Sequence, residues 1–304
     1  MSSSSDERVV AAAAGPTPGP RWRWAGRWRG GSWLTRLAAL VLLATMVAAV
    51  VPSLFTSFDP ELAIPVDRML GFGVDGHLLG TDAIGRDVYA RLVYGARLAW
   101  VVGLAVAAGS LVCGVTLGAT AGYFGGALDS VVSRFIDGIL AFPPILLGLV
   151  LAAILGPGTW TAVFALVVVY TPLTARVVRA SVLTEKSAPY VMASRGLGHR
   201  GLRTLAREIL PNTVGPVIVV GTLIASRAII IEASLSFLGV GTQQPSPSWG
   251  LMAAEAQQQV LIAPSLLVLP VTVLAVLVLA LNFVGDAMAE KLDPQSRTTR
   301  ASSR

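Results

Sequence analysis

Charge is what this sequence has least of. Only 13% of its 304 residues are Asp, Glu, Lys or Arg, about half the share in a soluble domain. That argues against a water-soluble globular enzyme. The 54% hydrophobic content and a mean hydropathy of +0.70 argue against a disordered chain. A single cysteine, Cys113, excludes an internal disulfide and a cysteine-based zinc site. Two histidines, His77 and His199, stand too far apart to offer metal-ligand spacing. No Walker-type glycine loop precedes a Lys-Ser/Thr pair, and there is no Gly-x-Ser-x-Gly elbow. A membrane-embedded enzyme would need an intramembrane His/Asp/Glu cluster, which the apolar windows lack.

What is present is long uncharged sequence. Windows free of Asp, Glu, Lys and Arg run over 37–58, 98–128, 138–175, 209–226 and 256–285. A spanning helix needs about 20 mostly apolar residues. The third window is too long for one span and contains the turn signal Gly156-Pro157-Gly158. It therefore reads as two helices joined by a tight loop. Six spans result, near 35–54, 98–120, 138–155, 160–178, 213–237 and 263–285. The windows lack the alternation of a membrane β-barrel, so the fold class is all-α transmembrane.

The 23 basic and 17 acidic residues leave a net charge of +6, and the arginines set an orientation. Segment 1–36 has six Arg; 176–208 has six Arg and one Lys; the tail 286–304 has one Lys and three Arg. Six spans place all three on one side, with both termini cytoplasmic. Segment 55–97, with six acids and four Arg, and loop 239–262, with no Lys or Arg, fall outside. The chain divides into a basic, Trp-rich N-terminus (1–33), a first span (34–54), an extracytoplasmic segment (55–97), a five-span core (98–285) with a cytoplasmic loop at 180–212, and a cytoplasmic tail (286–304). The first 20 residues, rich in Ser, Ala and Pro, read as disordered. Arg21-Trp22-Arg23-Trp24, Arg27-Trp28-Arg29 and Trp33 could suggest nucleic acid. The preferred reading is an interfacial anchor, with Trp at the headgroups and Arg facing anionic lipid. The leader before the first span is long for a cleaved signal peptide.

The most informative loop runs from Lys186 to Asn212. Pro189 suits a first helical turn. Tyr190 to Leu197 can make two turns, and Gly198 can end them with a positive φ. A second basic amphipathic stretch covers Leu202 to Leu210, and Pro211 opens the fifth span. The two short helices could dock on a cytoplasmic partner, although composition alone also fits an ordinary basic loop. Met192-Ala193-Ser194, Gly198 and Ile209-Leu210-Pro211-Asn212 resemble the "EAA" loop of binding-protein-dependent ABC importer permeases. In that family the loop is the coupling helix that sits in a groove of the ATPase subunit. Two positions depart from the pattern: Met192 replaces its Glu, and Ser194 its second Ala. The resemblance implies that Tyr190, Met192, Ala193, Ser194, Arg195, Gly198 and Pro211 meet the ATPase.

Three further segments narrow the resemblance to dipeptide, oligopeptide and nickel permeases. Leu79-Gly80-Thr81-Asp82-Ala83-Ile84-Gly85-Arg86-Asp87-Val88, running on to Arg91 and Tyr94-Gly95-Ala96-Arg97, is similar to their segment before span two. Ala121 to Gly126, with Asp129, Arg134, Asp137 and Pro143, is similar to their first cytoplasmic loop. Glu232 to Gly241, with Pro245, Pro247, Ser248, Trp249 and Gly250, resembles the end of span five and the loop after it. Read on their own, Gly-Thr-Asp and Gly-Arg-Asp offer Asx-type turns. Thr81, Asp82, Gly85, Arg86 and Asp87 thus form an extracytoplasmic motif, either an ion-pair cluster at the outer surface or a structural cap on span two, the latter preferred. Gly103, Gly109, Gly114 and Gly118 permit close helix packing. Span five carries Arg227 and Glu232 past the end of its window, in its outer half, where they could reach water. Glu232 belongs to a family motif and is read, with Ser234, Ser236 and Trp249, as pathway or partner contact.

The resemblance implies a type I permease fold of six spans, paired with a second homologous permease. It also implies two ATPase subunits or domains holding ATP and Mg, and an external substrate-binding protein. This chain itself would bind no cofactor and no metal, would not be an enzyme, and would sit in lipid in the inner or plasma membrane without nucleic acid. The expected cargo is peptide, with nickel or another small solute as the alternative. A stand-alone secondary transporter is the rival class; it should show internal repeats and interrupted midplane helices.

Overall fold

A computed structural model of the chain describes residues 31–196, 198 and 201–292. The basic, Trp-rich stretch up to Trp28, His199 and the tail beyond Leu292 lie outside the described residues. All regular elements among the described residues are helical. The helices are α1 (Gly31–Val50), α2 (Val88–Phe124), α3 (Gly126–Leu140), α4 (Pro144–Leu155), α5 (Thr159–Lys186), α6 (Pro189–Gly196), α7 (Val214–Phe237), α8 (Trp249–Ala256) and α9 (Ser265–Leu292). In lipid a backbone has no water to bond, so an apolar run must satisfy its N–H and C=O groups within itself, and a helix does that.

Breaks in the helices follow local chemistry. Asp87 caps α2, its carboxylate accepting from the Ala90 N–H at 2.5 Å, which satisfies one of the free donors of a first turn. Gly156, at φ +90°, separates α4 from α5 where the turn signal predicts. Pro52 follows Val51 directly and ends α1 at Val50, because the residue before proline is pushed away from helical geometry.

The third span requires correction. Instead of one helix over 138–155, α3 and α4 meet at a bend of 91°. Pro143 and Pro144 cause it: neither offers an N–H, and Pro143 is held extended at ψ 131° by the proline after it. The twelve residues of α4 reach only about 18 Å, short of a bilayer core of about 30 Å. Among the described residues five helices are long and apolar enough to cross a membrane, or six if the bent pair counts as one.

The stretch before α7 differs as well. Leu202 to Thr213 is not a separate amphipathic helix. A turn at Leu202–Thr204, a π-turn at Leu205–Ile209 and a 3-10 turn at Leu210–Thr213 run on into α7. Pro211 lacks the N–H that would bond back one turn, so the helix widens before it and tightens around it.

The core is α2 laid along α5 and α7. Small residues set that spacing. A Cβ on Gly114 would stand 2.4 Å from the Thr174 Cβ, and one on Gly118 would stand 2.3 Å from the Ala175 carbonyl oxygen. Of the glycine stripe of α2, Gly109, Gly114 and Gly118 therefore pack against α5 and Gly103 against α7, helices of the same chain. Helix α9 packs on α7, α8 and α1, and α1 is pinned by Arg97 Nε donating to the Ala49 carbonyl at 2.9 Å.

Candidate functional site

The residues singled out in the sequence gather at opposite ends of the bundle. Helix α2 spans 37 residues, about 55 Å at 1.5 Å per residue. One end holds Asp82, Glu232 and Trp249; the other holds α6.

At the first end, segment 64–87 folds as a knot of turns. Thr81 Oγ1 donates to the Asp67 carbonyl and accepts from the Leu70 N–H at 2.9 Å. Gly85 sits at φ +86°, and a Cβ there would meet the Ile64 carbonyl oxygen at 1.9 Å; only glycine fits. Asp82 receives Arg86 Nε and Arg91 Nη1, each at 2.7 Å. Glu255 of α8 receives Arg86 Nη2 and Arg91 Nη1, each also at 2.7 Å. Arg86 is 3% exposed and Arg91 1%. The ion-pair cluster exists, but it is buried, not at the surface, and it includes two residues the motif left out. Asp87 takes no part in it. Besides capping α2, it holds the His77 Nδ1 at 2.7 Å. Burial works to raise the Asp82 pKa, yet the Arg86 N–H, the two guanidinium charges and the Ile84 N–H outweigh it and hold the carboxyl below its usual range.

Beside this cluster, loop 238–248 folds back into the bundle and delivers α8 to a buried position. Glu232 is its anchor. Its Oε1 accepts from Ser236 Oγ at 2.6 Å, Thr242 Oγ1 at 2.9 Å and Ser248 Oγ at 3.4 Å. Glu232 reaches no water: it is 3% exposed. Trp249 is buried as well, and its indole N–H donates to the Leu92 carbonyl at 3.0 Å. A Cβ on Gly95 would stand 2.5 Å from that indole nitrogen, and one on Gly250 would stand 2.1 Å from the Ala233 carbonyl oxygen. Ser234 belongs elsewhere. It lies with Arg227, Ile230 and Phe237 on the open side of α7 and donates to the Ile230 carbonyl of its own helix. Among the described residues no carboxylate pairs with Arg227. A charge within a span is costly against lipid, so this face suits water or another subunit.

At the other end, α6 begins at Pro189 and ends at Gly196, and Gly198 takes φ +90°. Met192 is 58% exposed; Ala193, Gly198 and Pro211 are also exposed. Under this open surface α6 is tied down at two points. Tyr190 donates to Glu185 Oε2 at 2.7 Å and accepts from Asn212 Nδ2 at 3.1 Å. Ser194 donates to Glu208. Burial, followed by the Glu185 carboxylate, raises the Tyr190 pKa, so its hydroxyl remains a donor at neutral pH. Nearby, Arg179 grips Asp129 at 2.5 and 2.7 Å, Arg176 holds Asp137 at 2.6 Å, and Lys186 Nζ donates to the Tyr123 carbonyl. These bonds fasten α3 and the end of α2 to α5.

Residues 114–298 match the family model described as "Binding-protein-dependent transport system inner membrane component". The chain belongs to this family. It is 36% identical over 277 residues to a dipeptide transport system permease protein of Alkalihalophilus pseudofirmus, covering 91% of each chain. It is 40% identical over 254 residues to a di/tripeptide transport system permease protein of Pseudomonas aeruginosa, covering 84% of this chain and 83% of that one. A glutathione transport system permease protein of Pectobacterium atrosepticum is 34% identical over 86% of this chain and 87% of its own. Among solved structures, an inward-facing MetNI methionine ABC transporter covers 67% of this chain and 96% of its own at a TM-score of 0.55 and 20% identity. That likeness establishes a type I importer permease fold for this permease.

Sequence reasoning missed Arg91 and Glu255 as partners. One signal was there: Glu255 is the lone charge in 239–262, while four arginines stand in 55–97. It also missed His77 against Asp87 and Glu208 under Ser194, for which spacing gives no sign.

Proposed function

We propose that this permease carries short peptides across the inner membrane as one of two homologous permease subunits. Two ATPase subunits holding ATP and Mg drive it from the cytoplasm, and an external binding protein delivers the cargo. Both termini then lie in the cytoplasm, as the arginine distribution requires. The observation that carries the reading is the contrast between the two ends of a chain in this family. Met192 and Ala193 stand exposed on a short helix tied to α5 and α7, the form of a handle. At the opposite end the Glu232 hydrogen bonds and the buried Trp249 indole hold the returning loop and α8 against the bundle.

In this mechanism the ATPases close on ATP and pull α6. Tyr190 and Ser194 pass the movement to Glu185, Glu208 and Asn212, and so to α5 and α7. Those helices rock, and the pathway beside the open face of α7 alternates between outward and inward facing. Glu232 holds loop and span together so that the outer gate moves as one piece.

Purification in mild detergent tests the reading. ATPase chains should accompany this permease, and proteoliposomes of the complex should take up a labelled dipeptide only with ATP and the binding protein together. Uptake by the isolated permease, with neither, would refute it.

A further inference from the structure

One arginine of the core helices differs from the rest in what it holds. On α2, Arg91 pairs with Asp82 and Glu255, and Arg97 donates to the Ala49 carbonyl. On α5, Arg176 pairs with Asp137 and Arg179 with Asp129. Arg227 of α7 is exposed and makes no hydrogen bond or ion pair among the described residues. The group on a neighbouring helix that feels its charge is the Tyr170 phenol of α5, not a carboxylate. Arg227 shares its face with Ile230, Ser234 and Phe237, at steps of three and four, and all four are exposed. Snorkelling does not relieve the cost of that charge. An arginine on a helix leans towards the N-terminus, and α7 begins at Val214, about 20 Å away, which is beyond the reach of the side chain. The guanidinium is thus an accessible cation within a span, with no anion of its own chain. A carboxylate has two sources, an acid of the second permease and the cargo. A fixed acid would be clamped there by burial, and a buried pair is costly to break, which opposes the rocking of α7. A passing carboxylate has the opposite property: an exposed pair is weak, and a pathway needs contacts that release what they hold. Every peptide with a free C-terminus carries such a carboxylate, whatever its side chains.

We propose that Arg227 reads the cargo: its guanidinium fork takes the free carboxylate of a peptide passing along α7. Cargo and pathway here are those of the importer reading, on which this assignment rests.

The test makes Arg227→Cys in the whole importer, with Cys113→Ser as parent (Cys113→Ala if serine impairs uptake). It reads ATP-driven uptake of labelled Ala-Ala into proteoliposomes with the binding protein present. Arg227→Cys should lower uptake about tenfold while the second permease and the ATPases still co-purify. Aminoethyl methanethiosulfonate, which puts an ammonium at this position, should restore much of the uptake; the neutral methyl and the sulfonate reagents should not. Excess unlabelled Ala-Ala should slow the modification during turnover. Unchanged uptake in Arg227→Cys, recovery no greater with the ammonium than with the neutral reagent, or no protection by Ala-Ala would each overturn the assignment. Loss of the second permease on purification of Arg227→Cys would overturn it too, in favour of an acid on that subunit. An unaltered importer without ATP-driven uptake removes the importer reading itself; uptake by the parent that is indifferent to position 227 removes only the role of Arg227.

Discussion

The two ends of the bundle are built on opposite terms. Around Trp249, charges are buried, paired at 2.7 Å and crossed by a loop that returns into the core. Around Met192, the working surface is exposed and made of small or apolar side chains, with its polar bonds underneath. A buried charge network resists change, since breaking it strands a charge in a low dielectric. An exposed short helix changes partners at little cost. The contrast suits the proposed division, with the ATPases gripping one end and the gate at the other.

Substitutions can break that comparison, and the largest effect belongs to the buried cluster. Asp82→Asn leaves Arg86 and Arg91 underpaired and should cost about 3–5 kcal/mol, read as loss of the folded permease in thermal unfolding. If stability holds, the cluster is not the rigid element described. Gly250→Val forces a side chain into the Ala233 carbonyl. It should cost about 3 kcal/mol and free the Trp249 fluorescence from its buried position. Gly198→Val acts at the other end. Among the described residues nothing lies within 4 Å of a Cβ there, so the penalty is backbone strain of about 1–2 kcal/mol. Insertion and melting should barely change while ATP-driven uptake is lost; a normal uptake rate would detach Gly198 from coupling. The smallest effect is that of pH. Asp82 ionises more readily folded than unfolded, so its contribution is complete above the usual aspartate value of about 3.9 and is lost as pH falls below it. Melting temperature should be flat from pH 7 to 5 and decline below about 4.

Legibility in the sequence followed range. Features set by neighbours were readable: the cap at Asp87, the break at Gly156, the helix start at Pro189 and the positive φ of Gly198 all depend on a few adjacent residues. So did the long apolar runs, because lipid leaves a helix as the simple solution. The bend at Pro143-Pro144 was equally local, but the uncharged window ran through it, and charge says nothing of direction. The cluster was not readable as a whole, since Arg86 and Glu255 are 169 positions apart. Glu232 looked open to water because helix position gives depth and not burial; the loop that covers it, through Thr242 and Ser248, follows it in the chain. Pro211 marks the start of α7 in sequence, while in the structure it only distorts a helix already under way.

The most direct test of the central claim, that force enters through α6, is a proximity measurement. Ala193→Cys, in a chain whose Cys113 is replaced by serine, is treated with a short bifunctional thiol reagent in inside-out vesicles of the whole importer. The account predicts a cross-link to an ATPase subunit and no labelling of the same position by an impermeant maleimide added outside intact cells. A permease that cross-links to no ATPase, or whose position 193 is labelled from outside, would contradict it.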